Sequence, residues 1–154
     1  MTTNGAAIAI GEVQELLGRW WWSYDDGRFD TLTKLLTEDA HFVCRTDTGT
    51  TDYEEFVRAD LRGRETVMAW QTEHRMHSPY PLRHHGTNIH ITGHRGEEAD
   101  FSSYIHVTHI TPAGVTNLPG GIVHGTVRRA RDVVRLAALE VVLDTRESVE
   151  FAQR

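Results

Sequence analysis

A chain of 154 residues with a formal net charge of −6 has room for one ordinary domain and its core, and too little for two. Its apolar and charged fractions, 39% and 25%, are those of a globular protein and exclude a fibrous or disordered chain. Lysine and arginine are scattered except for Arg128-Arg129-Ala130-Arg131, which reads as a solvated strand end, so no basic face argues for nucleic-acid binding.

The single cysteine, Cys44, excludes an internal disulfide and points to a reducing compartment. It lies in the strand-like run Ala40-His41-Phe42-Val43-Cys44 and reads as a buried structural thiol. The start of the chain lacks a signal-peptide pattern, because Ala6 to Ile10 is short and Glu12 follows it. No stretch approaches the roughly 20 apolar residues that span a bilayer. A cytoplasmic protein with no membrane partner is expected.

A first helix is predicted from Ile10 to Tyr24. Val13, Leu17, Trp20 and Tyr24 recur at helical spacing, and Leu16 and Trp21 widen the stripe. Of the three consecutive tryptophans, two read as core contacts and one as an exposed ring. Gly27 breaks the helix, and a short second one follows from Phe29 to Leu36. A strand over Ala40 to Arg45 comes next, then a polar turn over Thr46 to Asp52.

Another helix spans Arg64 to His77, with Val67, Met68 and Trp70 facing the core, and Pro79 and Pro81 bound it. Strands are predicted over His84 to Thr92, Ala99 to Thr111, Gly121 to Arg129 and Val133 to Leu143. Helices followed by consecutive strands define an α+β domain whose mostly antiparallel sheet is covered by helices. A polar tail, 145–154, completes the chain.

Alternation decides which of the ten histidines point inward. On the second long strand Phe101, Ser103, Ile105, Val107 and His109 share the more apolar face, so His109 should face the core or a pocket and His106 the outside. On the first, Ile89 and Ile91 share parity with His85, which puts His85 inside and His84 outside. A bulge at Gly86 would reverse that phase. The residues alone leave the two histidines open. No metal site is expected, since neither His84 and His90 nor His106 and His109 have convergent ligand spacing.

Tyr24-Asp25 closes the first helix. An acid in the last turn opposes the helix macrodipole, so its presence there calls for another reason. An imidazole N–H across a pocket supplies one.

The pattern Tyr24-Asp25-Asp26-Gly27-Arg28-Phe29-Asp30-Thr31-Leu32, then Leu36-Thr37-Glu38-Asp39-Ala40, Gly63-Arg64-Glu65 and His84-His85-Gly86-Thr87-Asn88, resembles the SnoaL-like branch of the nuclear transport factor 2-like superfamily. In style it is similar to scytalone dehydratase and hexachlorocyclohexane dehydrochlorinase. The resemblance covers about Ile10 to Leu143. It implies a cone-shaped, cystatin-like α+β barrel, one deep apolar pocket, chemistry without a cofactor, and a homodimer or homotrimer.

Carried over by position, the family's catalytic aspartate falls on Asp25 and its histidine on His84. The dehydratase tyrosine falls on Tyr24 and a second pocket histidine on His109. Trp21, His85, Asn88, Phe101 and His124 are expected around the substrate. The dehydratase's later polar pair has no match near Val123 and His124, and the stretch Thr46 to Leu61, with Tyr53 and Phe56, is expected to lid the pocket.

The activity implied is that of a dehydratase acting on a small aromatic, polyketide or steroid-like molecule. His84 would be the base, Asp25 its orienting anion, Tyr24 the group holding the substrate oxygen and His109 the acid for the leaving hydroxide. The alternatives are an isomerase or cyclase using the same base, and a non-catalytic ligand-binding or oxygenase small-subunit-like domain.

Overall fold

A computed structural model describes residues 6–154. Helix α1 (Ile10–Asp25) forms where the apolar stripe predicts, with Val13, Leu16, Leu17, Trp20, Trp21 and Tyr24 buried along one face. Each such side chain, fully buried, contributes roughly 1.5–3 kcal/mol. Trp22 points away and is 72% exposed, as the third ring of the run should be. Short helix α2 (Phe29–Leu35) adds Leu32 and Leu35 to the same core.

Strand β1 (Leu36–Thr46) begins earlier than its alternation suggests. The polar segment after it holds two elements that the sequence pattern did not reveal, helix α3 (Glu54–Val57) and strand β2 (Ala59–Arg62). Both are four residues long, too short to establish a period. β2 exists because it pairs with β1, Cys44 opposite Ala59 and His41 opposite Arg62. Gly63, at φ 89°, then opens helix α4 (Arg64–Met76).

Strands β3 (Leu82–Arg95), β4 (Glu98–Thr111), β5 (Gly114–Ala130) and β6 (Val133–Leu143) form a consecutive antiparallel meander. Strand β5 is longer than predicted: its first half was obscured by Pro119-Gly120-Gly121. Those residues sit where the β4–β5 register shifts, a bulge that accommodates a proline without breaking the ladder. The turn between β5 and β6 is Arg131-Asp132, both with positive φ, as a two-residue hairpin requires.

The sheet order is β2-β1-β6-β5-β4-β3, with β1 and β6 parallel and all other pairs antiparallel. The sheet is mixed and stays open, because its edge strands β2 and β3 do not pair with each other. Helix α1 packs on β3 and β6, and α4 packs on β1, so the helices cover one face. Among the described residues, no helix is long and apolar enough to cross a membrane.

Candidate active site

The space between helices and sheet is a cavity of about 360 Å³, within the usual size for a small-molecule site. Its wall is formed by α1 (Trp21, Tyr24), α4 (Trp70, Gln71, His74), the α3 segment (Tyr53, Phe56, Val57) and the inner faces of the strands. Tyr53 and Phe56, from the 46–61 stretch, are thus part of the cavity wall.

One pair organises the polar chemistry. Nδ1 of His84 lies 2.5 Å from Oδ1 of Asp25, and the backbone N–H of His84 donates to Oδ2 at 2.8 Å. Both carboxylate oxygens are thus taken by a single residue. The Trp21 ring stacks on the imidazole at 5.0 Å and 8°, and Tyr24 meets it edge-on at 5.3 Å. Trp21 and Asp25, one helical turn apart, hold the ring by its face and its edge together.

The approach is close because the strand carries Gly86 below Trp21. A Cβ there would come within 3.3 Å of the indole. Nε2 of His84 takes no hydrogen bond from the described residues, and His84 lines the cavity.

Which histidine points inward is decided by a bulge, but not at Gly86. Thr87 pairs with Tyr104 and His90 with Ser102, so β3 carries one extra residue between them. Asn88 occupies that position with φ 55°, a conformation asparagine tolerates better than most residues. Upstream of it Leu82, His84 and Gly86 face inward; downstream Ile89 and Ile91 do. Simple alternation from the isoleucines fails because the phase changes between them and the histidines.

His85 accordingly points outward, 3.2 Å from Thr108 and beside His106. Asn88 is exposed at the bulge and is not part of the cavity wall. His109 has the inward parity but stands two residues past Val107, opposite Leu82 and Thr116, outside the wall and half-buried. Phe101 faces inward into the packed core instead of the cavity, its ring lying against the backbone of Gly125. His124 is on the outer face, bonded to Ser102 at 2.7 Å.

Arg75 of α4, 6% exposed, donates to the carbonyls of Tyr24 and Asp25 at 2.8–3.2 Å and to Pro79 at 2.9 Å. It neutralises the carbonyl end of α1 without touching the Asp25 carboxylate. That helix end is where the acid sits, and the guanidinium makes it tolerable.

His74 escaped the sequence reading. Its Nδ1 lies 2.6 Å from the Tyr24 hydroxyl, and its ring is stacked between Trp70 at 4.4 Å and Phe56 at 4.3 Å. Burial pushes its pKa down to about 4, with repulsion from His84 and Arg75 adding to the effect. Burial likewise pushes the Tyr24 phenol up to about 12, so it keeps its proton. The spacing Trp70-x-x-x-His74 on a helix was the available signal. Cys44 also lines the cavity, its thiol pushed up to about 12 by burial, and is inert as a nucleophile at neutral pH. No three metal-ligating side chains converge among the described residues.

The chain thus sets an acid-gripped imidazole at the wall of an apolar cavity between its helices and its sheet. Residues 6–140 match the SnoaL-like domain, and the chain belongs to that family. No curated protein matches it. Among solved structures it is similar to a nuclear transport factor 2-like protein with a cystatin-like fold from Novosphingobium aromaticivorans, at 21% identity and TM-score 0.69, covering 86% of this chain and 80% of that one.

It is also similar to a candidate scytalone dehydratase from that organism, at 15% identity and TM-score 0.70, over 88% and 84% of the two chains. The β subunit of a candidate aromatic-ring-hydroxylating dioxygenase, from the same source, gives 15% identity and TM-score 0.70 over 92% of each. At these identities the likeness is one of fold, and the fold is cystatin-like.

Proposed function

We propose that this protein is a lyase, a dehydratase whose acid–base chemistry is carried by its own side chains. The observation behind it is the contact of Asp25 with Nδ1 of His84, which leaves Nε2 as the nitrogen available to a substrate. With Nδ1 holding its proton toward the carboxylate, Nε2 presents a lone pair, the form a general base needs.

His84 removes a proton from carbon next to a carbonyl. Asp25 stabilises the imidazolium that forms, and the Tyr24 phenol donates to the carbonyl oxygen as negative charge builds there. The enolate then expels a hydroxide from the adjacent carbon, and the imidazolium returns its proton to give water. His109 stands outside the cavity wall, so His84 is assigned both transfers. General base catalysis supplies about 10²–10⁴-fold in such sites.

The substrate is a flat neutral molecule with a β-hydroxy ketone. The cavity wall is almost wholly apolar or aromatic, and none of its residues bears a carboxylate, ammonium or guanidinium group. We also propose a homodimer or homotrimer, since the outer sheet face exposes Tyr104 and Ile122. Light scattering reads that state directly.

The test is to incubate the protein with bicyclic β-hydroxy ketones and follow the mass of the product. Loss of one water by the wild type but not by His84→Ala supports the reading. A product of unchanged mass makes the protein an isomerase or cyclase. Binding without turnover across the panel returns it to the non-catalytic class represented by the oxygenase β subunit.

A further inference from the structure

The Tyr24 phenol has one proton, and its 2.6 Å contact with His74 Nδ1 can be made in two ways. If Tyr24 donates, His74 carries its own proton on Nε2. That atom is buried and has no hydrogen-bond partner among the described residues. The ring is held between the Trp70 and Phe56 faces, so the result is an orphaned N–H. It also spends the only proton Tyr24 could offer a ligand. If instead His74 donates from Nδ1–H, Nε2 is left with a lone pair alone. A buried acceptor without a partner is tolerated more often than a buried donor without one.

We propose that His74 is the positioning residue for Tyr24: its Nδ1–H donates to the phenol oxygen, leaving the phenol proton free for the carbonyl oxygen of a neutral ligand. This rests on the reading of Tyr24 as the group that holds the substrate oxygen. A donor to the phenol oxygen also favours the charge that develops on Tyr24 when it donates, so the histidine sharpens the phenol as a hydrogen-bond acid.

Two features of the surroundings support the arrangement. The cavity wall bears no carboxylate, ammonium or guanidinium group, so a ligand oxygen meets only neutral donors there, the Tyr24 phenol among them. Burial keeps His74 neutral down to about pH 4, so its single N–H and single lone pair persist through the neutral range.

The experiment uses the full chain labelled with ¹⁵N-histidine and reads each ring's tautomer from long-range ¹H–¹⁵N spectra. The His74 signal is identified by its loss in His74→Phe. A protonated Nδ1 and a bare Nε2 are expected; a protonated Nε2 overturns the proposal. A second measurement follows the carbonyl stretch of bound 2-acetonaphthone by infrared difference spectroscopy.

The stretch should move to lower frequency in the wild type and lose most of that shift in His74→Phe. It should regain the shift in His74→Asn, whose amide N–H can take the place of Nδ1–H. An unchanged stretch in His74→Phe overturns the positioning role even where water is eliminated from substrates. A chain with the expected tautomer and shift that eliminates no water keeps this inference and loses the dehydratase reading.

Discussion

Asp25 holds His84 at two points, the ring Nδ1 at 2.5 Å and the backbone N–H at 2.8 Å. The second contact ties the acid to the strand itself, so the carboxylate is held in place beside the ring it orients. Asp25 is 6% exposed, and that burial strengthens both interactions relative to their worth in water.

Replacing Asp25 by Asn keeps an acceptor for the backbone N–H but removes the anion beside Nδ1. Turnover should fall by about 10²–10⁴-fold. Stability should drop by only about 1–2 kcal/mol. Steady-state kinetics on an identified substrate and a urea melt separate the two effects.

His84 and His85 offer a matched comparison, because adjacent strand residues face opposite ways. His85→Ala should leave activity intact and stability within about 0.5 kcal/mol, its ring being exposed beside Thr108. His84→Ala should abolish activity. Inactivation by His85→Ala alone would contradict the inward placement of His84.

The bulge at Asn88 makes a separate prediction about the fold. Asn88→Gly should be close to neutral, since glycine adopts φ 55° freely. A β-branched residue there should cost about 1–2 kcal/mol or more, and Asn88→Val tests it. Thermal melts of the two variants should therefore diverge, although the residue is exposed and touches no part of the cavity wall.

His74 gives the pH dependence. Its pKa is lowered from an ordinary 6.5 to about 4, so below 6.5 the unfolded chain takes a proton that the folded one refuses. Stability from this group is complete above pH 6.5 and is lost as pH falls toward 4. Allowing for solvent screening of a half-buried ring, the loss is about 1 kcal/mol between pH 7 and pH 5. His74→Phe should show a shallower decline than the wild type in urea midpoints over that range.

The helix α1 stripe, the hairpin turn Arg131-Asp132 and the strands β4 and β6 were legible from periodicity and turn chemistry, because each period repeats several times within one element. The SnoaL-like resemblance rested on the order of degenerate motifs and placed Asp25 and His84 at the positions that the structure brings together. Other features were not legible. α3 and β2 are too short to show a period, and β5 was cut short by the Pro-Gly-Gly that its bulge absorbs.

His109 shows the limit most clearly. Its strand face was read correctly, yet distance along the strand took it past the cavity wall, and no alternation pattern contains that distance. His74 is the converse case, an unremarked helical residue that enters the site only because α4 packs beside α1. Sequence by itself determined the fold class, the apolar faces and the residue types for an imidazole–carboxylate pair, since these depend on local period and composition. Tertiary structure alone decided which histidine meets the acid, because one bulged residue inverts the strand's phase and only the packed sheet shows where it sits.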